Sequence, residues 1–242
     1  MTLNTDTTVR ELALEMPQAT RVFERLKIDY CCGGARPLGV ACADAGLDVN
    51  TVMQQLAEAG AVTQSDAQTT IQTESLTELI AHIIAKHHVY TKEEMVRLTA
   101  LLAKVCAAHG EPHPELLRVS ELFQHLCADL QPHMLKEEMV LFPYIKGLEE
   151  AARRGGEFMR PPFGTINNPV RMMMYEHDAA GALLRELRAV SNDYLVPEDA
   201  CLSYRTLYEA LTALEQDLHQ HIHLENNVLF PRAVELENKL AG

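Results

Sequence analysis

Tryptophan is absent from this 242-residue chain and aromatic residues make up only 5% of it, which excludes a core dominated by aromatic rings. There is no Lys/Arg-rich stripe, and the formal net charge is −13. A phosphate backbone is repelled by such a chain as a whole, so nucleic acid is not an expected partner. No apolar run approaches the roughly 20 residues that a membrane helix needs, and the polar start from Met1 to Arg10 lacks a signal-peptide core. The expectation is a cytoplasmic protein with no membrane partner. No stretch sustains period-two alternation either, which removes sheet from the expected fold.

What is present reads as an ordinary globular composition, with 47% hydrophobic and 23% charged residues. The length allows one good core plus a smaller domain. Residues 1–60 read as short helices broken by glycines. Thr8-Val9-Arg10-Glu11 is a capping box, Pro17 suits the first turn of a helix carrying Val22, Phe23 and Leu26, and Asp48 caps a helix through Val52 and Leu56. Residues 61–74, rich in Gln, Thr and Ser, read as a linker. Residues 75–242 read as four long helices. The first runs from the Ser75-Leu76-Thr77-Glu78 capping box to Gly110, and the second from Pro114 to about Pro143. After a Gly/Pro-rich crossover from Arg153 to Asn168, the third starts at an Asn168-Pro169 cap and runs to about Val190; the fourth spans about Pro197 to Pro231. Of the six cysteines, most read as small core residues in a reducing compartment. Cys31 and Cys32, beside Gly33 and Gly34, lie in a turn where thiols can be exposed.

The chemistry resides in a repeat. His133 to Pro143 and His221 to Pro231 both read H-x-x-x-E-x-x-V-L-F-P at a constant offset, and His88 and His177 repeat more faintly. On an α-helix, residues i and i+4 lie within about 40° of each other. His133 and Glu137 therefore point the same way, as do His221 and Glu225. Packing two αα-hairpins together brings four imidazoles and two carboxylates to one interior locus. Each carboxylate can bridge two cations, which leaves two imidazoles per metal. Nitrogen and oxygen ligands without thiolate suit iron or manganese better than a structural zinc.

The other histidines sort less cleanly. His219 and His223 lie about 200° from His221 and read as solvated. Between His87 and His88, the wheel centred on Ile80, Ile83, Ile84 and Leu98 favours His87. His82, His109, His113 and His125 read as surface or capping residues, and Asp129, one turn before His133, is one candidate acceptor for that imidazole rather than its assigned partner. Pro132 should kink its helix one residue before His133.

These motifs resemble the hemerythrin-like di-iron fold, and more closely the Repair of Iron Centres family of iron-sulfur cluster repair proteins. The likeness rests on Tyr30-Cys31-Cys32-Gly33-Gly34, on L-I-x-H-I-I-x-K-x-H from Leu79, on H-M-x-K-E-E-x-x-L-F-P from His133, on E-H-D-x-A-G from Glu176 and on H-I-x-L-E-N-N-V-L-F-P from His221. It implies an all-α, hemerythrin-like four-helix bundle with a small helical N-terminal domain. It also implies two iron ions, oxo- or hydroxo-bridged and carboxylate-bridged, on His88, His133, Glu137, His177, His221 and Glu225, which selects His88 over His87. The implied role is repair of clusters damaged by oxidative or nitrosative stress, by iron donation; nitric oxide reduction and nitric oxide or oxygen sensing are the alternatives. Cys31 and Cys32 take a redox or iron-transfer role in this likeness. The implied partners are damaged iron-sulfur proteins or the cluster-assembly machinery, nitric oxide or oxygen as ligand, and a second copy of the chain as a homodimer.

Overall fold

Four short helices open the chain in the computed structural model, which describes residues 4–61, 74–155 and 161–241. They are α1 (Val9–Glu15), α2 (Ala19–Leu26), α3 (Leu38–Asp44) and α4 (Val49–Ala61). The Thr8 capping box forms as expected, with Thr8 Oγ1 accepting from the Glu11 amide and the Glu11 carboxylate accepting from the Thr8 amide. Helix α3 is absent from the sequence reading, because seven residues after Pro37 carry too little periodicity to stand out. Leu12, Phe23, Leu38 and Leu56, one from each helix, are fully buried together. The turn from Tyr30 to Gly34 needs its last glycine, since a Cβ there would lie 2.7 Å from the Tyr30 carbonyl oxygen.

Four long helices follow, three of which widen at one level into a single π-turn. Helix α5 comprises Leu76–Ile83, a π-turn at Ile84–His88, and Val89–His109; α6 comprises Glu115–Lys136, a π-turn at Glu137–Leu141, and Phe142–Arg154. Helix α7 is Asn167–Val190, and α8 comprises Leu202–Leu224, a π-turn at Glu225–Leu229, and Phe230–Ala241. The all-α, hemerythrin-like bundle with a small N-terminal helical domain is therefore the observed fold. Among the described residues the one β-type pairing is an isolated bridge between Thr8 and Pro37.

In each π-turn an amide bonds five residues back, as Phe142 N does to Glu137 O and Phe230 N to Glu225 O. The repeated prolines explain two of them. Pro143 and Pro231 cannot donate, and their rings crowd the carbonyl four residues earlier, a conflict that one extra residue in the turn relieves. Pro132, in contrast, is carried inside α6 without interrupting it, so the helix reaches Lys136 and His133 keeps its register with Glu137.

Four boundaries differ from the sequence reading. Helix α6 continues to Arg154, α8 runs from Leu202 to Ala241 rather than from about Pro197 to Pro231, and α7 begins at Asn167 without a side-chain cap. In place of that cap, the buried Glu237 carboxylate accepts the Ile166 amide at 3.0 Å, together with the Tyr144 hydroxyl at 2.6 Å and the Thr165 hydroxyl at 2.5 Å. The linker read at 61–74 falls almost wholly on 62–73, and part of the crossover on 156–160, both outside the described residues.

The bundle interior holds two separate apolar clusters. One gathers Leu98, Leu102, Phe123, Leu126, Leu184 and Leu211, and the other Ile80, Ile83, Phe142, Ile145, Leu229 and Phe230. Between them lies a belt of polar side chains.

Candidate metal centre

The belt contains all six residues the sequence singled out. His88, His133, Glu137, His177, His221 and Glu225 are each 2% exposed or less. They form two overlapping groups, His88 and His221 with both carboxylates, and His133 and His177 with both carboxylates. Within each group the two imidazoles face each other, His88 Nε2 3.0 Å from His221 Nε2 and His133 Nε2 3.0 Å from His177 Nε2. Glu225 divides its oxygens between the groups, with Oε1 3.0 Å from His221 Nε2 and Oε2 3.2 Å from His177 Nε2. Glu137 Oε2 lies 3.5 Å from His88 Nε2 and 3.4 Å from His133 Nε2.

Outer partners fix which nitrogen carries the proton. His88 Nδ1 donates to Glu138 at 2.7 Å, His133 Nδ1 to Glu176 at 2.8 Å and His177 Nδ1 to Asn226 Oδ1 at 2.8 Å. A neutral imidazole that donates through Nδ1 holds a lone pair on Nε2. Lysines back both outer carboxylates, Lys92 on Glu138 at 2.6 Å and Lys136 on Glu176. Burial and the nearby His177 push His133 down to about 4, and burial lowers His221 as well, so both rings are neutral near pH 7.

At His133 and His177, where both Nδ1 atoms have outer acceptors, the inward lone pairs 3.0 Å apart repel each other unless a cation lies between them. Ligands about 2.1 Å from one ion and at right angles to each other lie about 3.0 Å apart, whereas a tetrahedral angle separates them by about 3.4 Å. Each pair is therefore close enough for both nitrogens to reach one ion. The carboxylates give the same reading. Both Glu137 oxygens and Glu225 Oε2 have no hydrogen-bond donor, although the residues are wholly buried. Burial and the Glu225 charge raise Glu137 well above the usual carboxylate range. Burial would raise Glu225 too, but His221, His177 and His88 outweigh it and hold that carboxyl well below the usual range. A buried carboxylate with no donor on either oxygen, as at Glu137, is costly, and a bound cation removes that cost. The residues present fit a metal.

The N-terminal domain covers this level of the bundle on the α7 and α8 side. Asn226 Nδ2 donates to the Cys31 carbonyl at 3.3 Å and Asn227 Nδ2 to the Tyr30 carbonyl at 3.1 Å, while Arg10 donates to the Asn226 and Asn227 carbonyls in the π-turn. The Cys32 thiol faces the His177 carbonyl at 3.6 Å. In the sequence Glu225-Asn226-Asn227, the acid thus serves the centre and the two amides serve the docked domain.

That docking corrects several readings. The thiols are not an exposed pair, because Cys31 is buried and Cys32 half-buried under the seam. His223 is buried edge-on against Tyr30 and bonded to Asn227, and His219 is half-buried against Glu24 at 3.0 Å, so neither is solvated. Glu176 on α7, not the exposed Asp129, orients His133, because its Nδ1 points across the bundle rather than back along α6. His87 and His88 are both fully buried: the π-turn rephases α5, and His87 bonds Asp217 at 2.9 Å and stacks on His221. His82 is half-buried rather than a surface residue. No helix among the described residues is long and apolar enough to cross a membrane.

Residues 79–233 match the Hemerythrin HHE cation binding domain, and residues 5–60 match ScdA_N, a Domain of Unknown function (DUF542). The chain is 34% identical to proteins named Iron-sulfur cluster repair protein YtfE from Dickeya chrysanthemi, Citrobacter koseri and Escherichia coli O1:K1 / APEC, over 95% of its own length and 97% of theirs.

Proposed function

The chain belongs to the iron-sulfur cluster repair family built on the hemerythrin HHE domain, and from that premise we propose that it holds two iron ions and donates iron to damaged clusters. The observation that carries this is the pair of inward-facing Nε2 contacts at 3.0 Å, one in each half-site, flanked by the same two carboxylates. His88 and His221 hold one ion and His133 and His177 the other, with Glu137 and Glu225 shared. Bound there, the pair supplies ferrous ions for transfer and a place where nitric oxide or oxygen can bind. Nitrogen and oxygen donors without thiolate favour iron or manganese over zinc.

The charge count favours release. Two ferrous ions bring four positive charges and the shared carboxylates only two negative ones, while the imidazoles are neutral. A site so balanced gives up metal on protonation more readily than one rich in carboxylate. Glu138, Glu176 and Asn226 hold the ring orientations meanwhile. The clients in this reading are damaged iron-sulfur proteins or the assembly machinery, in the cytoplasm. A second reading is nitric oxide reduction, supported by two adjacent positions that share both acids.

Anaerobic iron loading tests the site: about two irons per chain are expected, falling sharply in Glu137→Ala and Glu225→Ala. A metal-free product, or unchanged iron in both variants, overturns it. Mixing the reduced, loaded protein with a cluster-damaged protein should return cluster activity as iron leaves the donor. Nitrous oxide after a single turnover with nitric oxide, without such transfer, would favour the second reading.

A further inference from the structure

Two imidazoles outside the six-residue site, His82 and His87, share a face of α5. In a regular α-helix, five residues of separation would set them about 140° apart. The π-turn at Ile84–His88 takes up part of that angle, and the rings meet edge to face with centroids 6.0 Å apart. Both line a partly open cavity of about 60 Å³ bordered by α5, α8 and the α1–α2 pair, with Thr20, Lys86 and Gln220 also on its wall.

His87 is fully buried, and its Nδ1 donates to Asp217 Oδ1 at 2.9 Å, which leaves a lone pair on Nε2. That Nε2 has no partner, and neither has the buried Nε2 of His82. A carboxylate behind an imidazole whose far nitrogen is free is the arrangement that stands behind metal-ligating histidines. Two rings bound to one ion at about 2.1 Å have centroids between about 4.5 and 6.4 Å apart, depending on the angle between them. The observed 6.0 Å lies inside that range. A water needs about 10 to 15 Å³ of such space, so an ion with a few waters fits.

We propose that His82 and His87 form a third cation site, taking a first-row divalent ion such as ferrous iron or manganese with water completing its shell. The site adjoins the centre directly. His87 precedes His88 in the chain, and its ring stacks on His221 at 5.7 Å within 8° of parallel. The inference rests on reading the six-residue site as the iron pair's, and adds a waiting position for an ion moving into or out of it. Asp217 contributes negative charge behind His87, whereas Lys86, exposed to solvent, brings positive charge to the His82 side of the wall.

The test uses the full-length, iron-loaded protein dialysed anaerobically against manganese, with iron and manganese counted separately and located by anomalous scattering at the manganese edge. One manganese per chain is expected, with a peak between His82 and His87. His82→Gln and, separately, His87→Gln should each lower its occupancy about tenfold while the iron count stays at two. Water alone in the cavity, a bromide peak there in bromide buffer instead of manganese, or manganese retained in the double variant would each overturn the site. The peak is read whether or not the iron pair loads, so this inference and the proposed function fail separately.

Discussion

Asn226 stands 2.8 Å from His177, accepting the Nδ1 proton on its Oδ1 while its Nδ2 donates to the Cys31 carbonyl at 3.3 Å. One side-chain amide therefore both sets the tautomer of an inward-facing imidazole and ties the N-terminal domain to the bundle. Two substitutions separate those roles. Asn226→Leu removes both and should weaken iron binding about 10- to 100-fold, read by competition with a chelator. Asn226→Asp keeps an acceptor for His177 but turns a carboxylate toward the Cys31 carbonyl. Iron affinity should hold, while hydrogen exchange in α1 and α2 quickens.

His219 makes the same seam depend on pH. Burial lowers its affinity for a proton, but hydrogen bonding to Glu24, with the charges of Glu24, Glu215 and Asp29, outweighs burial and raises it above the ordinary histidine value. A raised folded-state value means the contribution is complete below about 6.5, the unfolded value, and is lost as pH rises through the folded one. Proteolytic cutting of the N-terminal helices should therefore be slower at pH 6 than at pH 8.5. His219→Gln should remove that difference.

Thiol reactivity should follow exposure, not the adjacency of Cys31 and Cys32. Its hydrogen bond with Cys32, then burial, raise Cys31 well above the usual thiol range, with the charges of Cys32 and Asp29 acting the same way. Only the thiolate is alkylated. Iodoacetamide at pH 7.5 should label the exposed Cys201 first and leave Cys31 unmodified until the domain opens. Early labelling of Cys31 in the native protein would show that the seam is open in solution.

Glu237→Ala should cost about 3 kcal/mol, because it leaves the Ile166 amide and the Tyr144 hydroxyl without their acceptor. For a chain of this size that is a fall of about 6 to 12 °C in Tm. Glu237→Gln, which keeps one acceptor oxygen, should fall less. Equal losses would mean that the charge, not the hydrogen bonds, holds the start of α7.

Four of the six inward-facing residues, His133, Glu137, His221 and Glu225, are legible in the sequence because their signal is local. His-x-x-x-Glu fixes one face of one helix, and its duplication with V-L-F-P carries that face to a second helix. The choice between His87 and His88 was not legible on a wheel, because a wheel assumes about 100° per residue and α5 widens at Ile84–His88 without a proline to announce it. His219 and His223 were misjudged for another reason. Their face looks outward from α8 alone and is buried only because Glu24 and Tyr30, some 195 residues earlier, come to rest on it. Glu176 outranked Asp129 through packing between α6 and α7, which no spacing along α6 encodes.

The polar belt cuts the bundle's interior into two apolar compartments, and the same long helices run through both. Apolar packing on both sides of the belt holds the helices together, so under the proposed function loss of metal should leave the frame folded.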